Sequence, residues 1–285
     1  MLEARYQKLR QLIESYGSCL VAYSGGVDSV FLAYVAHQVL GDRALAVIAD
    51  TPSLPRRELS EALELGRRHG YPVRVVRPHE FDNAAYLANP LNRCYFCKHE
   101  LFQELAPLAR AEGFACLLYG ENVSDVGDHR PGAQAAVEFS VRAPLKEAGL
   151  SKTDIRELSA QLGLPTADKP QMACLSSRIP YGEVVSPEKL RMIEGAEEVL
   201  RDLGFRDVRV RHHELKGGHL ARIEVAPGEL PKFLSDGLGL RVAGDLRGLG
   251  YAHVTVDLLG YRRGSLNEVP AAAIRFRAPT VPAGG

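Results

Sequence analysis

Four short apolar runs recur along the chain: CLVAY (19–23), ALAVIAD (44–50), PVRVVRP (72–78) and ACLLYG (115–120), separated by helix-length amphipathic stretches. An unbroken apolar run of this length marks a strand covered on both faces, and parallel strands need crossover segments long enough to hold a helix. The chain is therefore read as an α/β protein built on a parallel sheet. In such a sheet, ligands bind beyond the carboxyl ends of the strands.

The pattern breaks at PYGEVVSPE (180–188), where two prolines and a glycine interrupt it. With 285 residues, and roughly 100 to 200 per domain, the chain has room for one large and one smaller domain. The boundary is placed there, giving an α/β domain over 1–182 and a small α+β domain over 183–270. The second domain opens with a helix, SPEKLRMIEGAEEVLRDLGF, with Ser186 as N-cap, Pro187 in the first turn and Gly204 at its end. The strands DVRVRHH and LARIEVA follow, then the helical ELPKFLSDGLG and a final HVTVDLLGY. Residues 271–285 lack an apolar pattern and are expected to be a disordered tail.

Charge limits the partners. The 35 Lys and Arg residues equal the 35 Asp and Glu residues, so the global positive field of a nucleic-acid or anionic-membrane binder is absent and a small-molecule partner is expected. No apolar run approaches the roughly 18 residues of a membrane helix, and the charged N-terminal segment reads as a helix rather than a signal peptide. A soluble, cytoplasmic protein is expected. Five cysteines, with Cys94 and Cys97 spaced as CxxC, suit a reducing compartment and a metal or redox role better than a disulfide framework.

The first strand runs into SGGVDS (24–29) and then an apolar helix. Gly25 and Gly26 allow positive φ and close backbone approach, the helix start offers unpaired amides, and Ser24 and Ser29 add hydroxyls. These features fit a bound phosphate. It is not a Walker loop, since no GK[ST] follows and the loop holds no lysine for the terminal phosphates. A carboxylate at Asp28 beside a phosphate calls for a divalent cation between them, which predicts magnesium. The plainer alternative is a turn capped by Asp28.

Cys19 and Cys116 lie in apolar strands and read as small buried hydrophobes. Cys94, Cys97 and Cys174 lie in polar, turn-rich surroundings, where thiolates act as nucleophiles, ligands or sulfur donors. CxxC is compatible with a redox pair, half a zinc site (closed only if His99 joins) or part of an iron–sulfur site. Three thiolates suit a 4Fe-4S cluster with one open iron.

Arg209 and Arg211 are two apart on a strand and so share a face, where paired guanidiniums can grip a phosphate. Arg178, close behind Cys174, can hold a carboxylate or phosphate near the sulfur source. Glu197 interrupts the apolar stripe Leu190, Ile193 and Leu200, so a buried acid there must pair with the arginines, bind substrate or handle a proton. Lys98 can stabilise pyrophosphate or a thiolate, or lie exposed.

SGGVDS after the first parallel strand resembles the SGGxDS signature of the PP-loop ATP pyrophosphatases, with their adenine nucleotide alpha hydrolase-like fold. The resemblance implies cleavage of ATP between its α and β phosphates, adenylation of an oxygen and release of pyrophosphate held by the loop. It also implies that Gly120, Asn122 and Asp125 in YGENVSD face the nucleotide; Asp50, at the end of the second apolar run, is a candidate near the adenosine, and an ordinary strand-end turn accounts for it equally well.

TPSLPRREL, NRCYFCK, ACLSSRIPYG, VRVRHH, ARIEV and VTVDLLGYRRGSLN together resemble LarE, the ATP-dependent sulfur transferase family of nickel-pincer nucleotide biosynthesis, which matures lactate racemase. That resemblance implies adenylation of a carboxylate on a pyridinium mononucleotide and its conversion to a thiocarboxylate. Some members sacrifice the sulfur of the cysteine matching Cys174; others hold a 4Fe-4S cluster on three cysteines. The pair Cys94 and Cys97 favours the second type, fed by a separate sulfide donor, and a homo-oligomer is expected. A cluster-dependent tRNA thiolase is the nearest rival, disfavoured by the neutral charge.

Overall fold

The structure, a computed structural model, describes residues 1–125, 131–170 and 173–262. The tail expected over 271–285 and the end of VTVDLLGYRRGSLN lie outside the described residues. The chain divides into two compact units, Met1–Leu175 and a second beginning at Ser176.

The first unit holds β1 (Cys19–Tyr23), β2 (Ala44–Ala49), β3 (Val73–Val76) and β4 (Cys116–Tyr119) in one parallel sheet of order β3-β2-β1-β4. Its helices are α1 (Leu2–Tyr16), α2 (Val27–Leu40), α3 (Arg56–His69), α4 (Ala84–Leu87), α5 (Arg93–Ala111), α6 (Pro131–Glu138), α7 (Pro144–Glu147) and α8 (Lys152–Gln161). All five residues of the central β1 are buried, and their alternation feeds two cores. Cys19, Val21 and Tyr23 pack with Leu9, Phe31, Ala62 and Ile155 from α1, α2, α3 and α8, whereas Leu20 and Ala22 pack with Phe102, Leu105 and Ala135 from α5 and α6. Helices on both faces explain why CLVAY and ALAVIA show no polar alternation. At the edge, β3 is only partly buried, and its Arg74 pairs with Glu112.

In the second unit, α9 (Pro187–Asp202) and α10 (Leu238–Gly248) pack with a three-stranded sheet of β5 (Arg209–Leu215), β6 (Gly218–Glu224) and β7 (Tyr251–Val256). β5 and β6 are antiparallel, and β6 and β7 parallel. Ser186 caps α9 by accepting from the Lys189 amide at 3.3 Å, and Gly204 closes it at φ +85°. Among the described residues no helix is long and apolar enough to cross a membrane.

Candidate active site

The loop at the carboxyl end of β1 is braced internally. Ser29 Oγ accepts from the Ser24 amide, donates to the Gly26 carbonyl and meets Ser24 Oγ, each at 3.1 Å. Gly25 sits at φ +72°, and a Cβ there would lie 2.8 Å from Ala62 Cβ. Glycine is therefore required twice over, for conformation and for space. A Cβ on Gly120 would come within 3.1 Å of Asp28 Cβ and the Ser29 amide, so the bare backbone at that position lets the end of β4 close against the start of α2.

The loop after β4 wires Asp28 to α8. Asn122 Nδ2 donates to Asp28 Oδ1 at 3.3 Å, and Lys152 Nζ reaches Asp28 Oδ2 at 2.6 Å. Asp125 Oδ2 accepts from the Asn122 amide at 3.1 Å, and Ser124 Oγ accepts from the Lys152 amide at 3.0 Å. A capping box at Ser151 and Asp154 fixes the start of α8, which carries that lysine. A second lysine, Lys169, touches the Gly25 carbonyl at 3.4 Å. The loop contains no lysine, yet the fold delivers two from distant positions.

Asp50 follows β2 directly and lies between Arg56 and Arg77, whose hydrogen bonds, that of Arg56 above all, hold its carboxyl below the usual range. Arg56 also donates to the Thr51 and Leu54 carbonyls at 2.7 and 2.8 Å, closing the TPSLP turn. Asp50 thus anchors that turn.

Cys94 and Cys97 lie in the first turns of α5; Cys94 is exposed and Cys97 half-buried. Burial, then the charge and hydrogen bond of Glu80, push the Cys97 thiol well above the ordinary range, and it also feels Cys174 and Cys94. Cys97 thus lies within electrostatic reach of both other thiols. Glu80 is 1 % exposed and accepts from Ser53 Oγ at 2.7 Å, Ser53 in turn meeting Thr51 Oγ1 at 2.8 Å. The Leu175 amide donates to the Ser53 carbonyl at 2.8 Å, tying the residue after Cys174 to the same turn. No cysteine is in a disulfide. Lys98 lays its ammonium over the Tyr119 and Phe102 rings, 5.1 and 5.6 Å from their centroids, and His99 packs against Phe139 and Tyr95.

In the second unit, Glu197 is fully buried and receives Arg178 through Nε at 2.8 Å and Nη2 at 3.0 Å, Arg201 at 2.7 Å and the Val210 amide at 3.2 Å. Burial pushes this carboxyl up, but Arg178, Arg201 and Arg209 prevail and hold it below the usual range. Arg211 pairs with Glu224 at 2.7 Å and donates to the Ser177 carbonyl at 3.1 Å. Arg222 bridges Glu224 and Asp257. Arg209 stacks 5.0 Å from the Tyr261 centroid, and burial followed by the neighbouring Arg178 lowers its pKa. This network is rich in arginine, with Arg178, Arg201, Arg209, Arg211 and Arg222 around Glu197, Glu224 and Asp257.

With this geometry in view, relatives decide the family. No protein-family model matches the chain. An uncharacterized protein of Synechocystis is 45% identical over 94% of this chain and 99% of its own length. The pyridinium-3,5-bisthiocarboxylic acid mononucleotide synthase of Lactiplantibacillus plantarum is 34% identical over 87% of this chain and 88% of its own. The chain belongs to the LarE family. One of the subunits of the glutamine-hydrolyzing GMP synthase of Pyrococcus furiosus, 26% identical over 69% of this chain and 67% of its own, extends the likeness to the wider PP-loop superfamily. The parallel α/β sheet agrees.

Within this LarE-family chain, sequence reading singled out the loop, the three cysteines and the arginine-rich strand, but missed Lys152, Lys169, Glu80 and Arg201. The uncompensated charge on Asp28 was the available signal for Lys152, since a carboxylate next to a phosphate loop needs a cation when no metal is bound. The donor set fits a 4Fe-4S cluster in kind, with three soft thiols. It is not preassembled: among the described residues no three His, Cys, Asp or Glu side chains are grouped to hold a metal ion, and Cys97 bonds to Glu80 instead.

Proposed function

We propose that this chain is an ATP-dependent sulfur transferase acting on a carboxylate of a pyridinium mononucleotide. What supports the reading is that Cys97 feels both Cys94 and Cys174 in the same unit as the Ser24–Ser29 loop, in a relative of a bisthiocarboxylic acid mononucleotide synthase. The substrate carboxylate attacks the α-phosphorus of ATP, an acyl-adenylate forms and pyrophosphate leaves. A sulfur nucleophile then attacks the acyl carbon, the C–O bond to AMP breaks, and a thiocarboxylate and AMP result. Adenylation is needed because a carboxylate oxygen is a very poor leaving group.

The side chains divide the work. The loop amides and the start of α2 bind the departing pyrophosphate. Asp28 would hold the magnesium that accompanies it, and Lys152 neutralises Asp28 otherwise. Gly120, Asn122 and Asp125 shape the nucleotide side of the loop, and Asp50 braces the TPSLP turn near it. Lys98 steadies the start of α5 beside the thiols. Arg209 and Arg211 recognise the substrate phosphate from the arginine-rich network, and Arg178, held by Glu197, orients toward a carboxylate. Cys94, Cys97 and Cys174 would hold a 4Fe-4S cluster, which when bound supplies an iron vertex for a terminal sulfide. The protein acts in the cytoplasm as a homo-oligomer, with a separate sulfide donor.

A second reading is favoured by the lack of a preassembled metal group among the described residues: Cys174 gives up its own sulfur once and becomes dehydroalanine. One experiment separates the two. Anaerobically purified protein is assayed for iron and sulfide, mixed with ATP, excess sodium sulfide and a carboxylated pyridinium mononucleotide, and followed by pyrophosphate release and by mass. Multiple turnovers, abolished along with the iron by alanine at any of the three cysteines, support the cluster. A single turnover with loss of hydrogen sulfide at Cys174 supports the sacrificial donor. Absence of pyrophosphate release from the wild-type protein overturns the function.

A further inference from the structure

Lys169 spends its charge inside the protein. Its Nζ lies 2.7 Å from Glu58 Oε2, 3.2 Å from Glu61 Oε2 and 3.4 Å from the Gly25 carbonyl oxygen, and its side chain is only 14% exposed. Its backbone is fixed as well: the Lys169 amide donates to the Thr166 carbonyl at 3.0 Å, and Arg156 Nη2 donates to the Lys169 carbonyl at 2.8 Å. Three stretches far apart in sequence therefore meet on one ammonium group: the phosphate loop, the first two turns of α3, and the segment that runs on to Cys174 five residues later.

The loop contact falls on a peptide with a special position. The Gly25 carbonyl and the Gly26 amide belong to one planar trans peptide, so they point in opposite directions. Holding the oxygen toward Lys169 turns the Gly26 N–H away from α3, toward the side on which an anion at the start of α2 would lie. Gly25 needs such a restraint, because a residue without Cβ at φ +72° can rotate this peptide at little steric cost. The two glutamates beside Lys169 occupy its charge, which suits it to hold the loop from behind rather than to serve as a phosphate ligand.

We infer that Lys169 is a positioning residue: it locks the Gly25–Gly26 peptide in the anion-binding orientation and ties that orientation to α3 through Glu58 and Glu61. The inference rests on the ATP-using reading above and adds to it a residue that acts through the loop.

The test is calorimetric titration of the full chain with magnesium pyrophosphate and with a non-hydrolysable ATP analogue, alongside thermal melting. Lys169→Met is expected to weaken pyrophosphate binding about tenfold, which corresponds to about 1.4 kcal/mol, while Lys169→Arg restores most of it. Wild-type affinity in a folded Lys169→Met protein overturns the inference and leaves the ATP-using reading standing. If the wild type itself binds neither ligand, that reading fails first and takes the inference with it. Should Lys169→Met lose its cooperative melting transition, Glu58→Gln serves in its place, since it keeps the lysine but loosens one anchor. About a threefold weakening then supports the inference, and an unchanged affinity overturns it.

Discussion

Lys152 Nζ stands 2.6 Å from Asp28 Oδ2 across 124 positions of sequence, at the start of two helices that both begin beside the phosphate loop. The pair is partly exposed, at 31% and 22%, so its contribution to stability is small and its interest is functional. Lys152→Met is expected to lower kcat/KM for ATP by about 10- to 100-fold, with a melting temperature close to wild type. Pyrophosphate release against ATP concentration reads the effect, and an unchanged kcat/KM would remove Lys152 from the site.

Burial and the adjacent Glu80 carboxylate together set the reactivity of the Cys97 thiol. With its pKa pushed well up by burial and by the Glu80 carboxylate, Cys97 stays a thiol at neutral pH. In protein prepared without iron, it should alkylate more slowly than the exposed Cys94. Glu80→Gln removes the negative charge and is expected to speed Cys97 alkylation by roughly three- to tenfold at pH 8. Mass mapping of iodoacetamide adducts, with Cys94 as internal reference, checks this.

Arg178 and Glu197 form a buried pair, 2 % and 0 % exposed. Removing one partner strands the other charge, so Glu197→Ala should cost about 3–5 kcal/mol. Denaturant melts measure that loss. Arg209→Ala, lying beside the same glutamate but half-buried, should instead act chiefly on substrate affinity and leave the midpoint nearly unmoved.

His212 supplies a pH dependence. Burial, then the neighbouring His219 and Lys189, lower its pKa to about 4. The unfolded chain takes up the proton first as pH falls, near the ordinary histidine value of about 6.5, so stability is full above that value and drains away between it and about 4. The loss reaches about 2 kcal/mol by pH 5. Chemical denaturation from pH 7.5 to 4.5 should show the decline, and His212→Leu should flatten it whatever its own stability at pH 7.5.

Local features of this protein were legible in the sequence where local physics dictates them. The run CLVAY is a central strand because both faces are covered, and Ser186 caps α9 because a serine before Pro187 satisfies an orphan amide. Glu197 on an apolar stripe demanded a partner, and Arg178, 19 residues back, is that partner. Lys152, Lys169 and Glu80 had no such signature. Each meets its loop or thiol partner only after the sheet is assembled, and no period or spacing encodes a contact between residues 28 and 152, or 25 and 169. That Cys97 feels Cys174 likewise depends on the TPSLP turn, whose Ser53 carbonyl holds the Leu175 amide.

The charged pair of Arg74 and Glu112 at the β3 margin has a consequence for how copies of this protein meet. A strand docking there from another molecule would have to displace a cation and its counter-ion to reach the free backbone groups. Growth of the sheet from one chain into the next is thereby discouraged on that side, which guards a protein with so apolar a central strand against fibrous association.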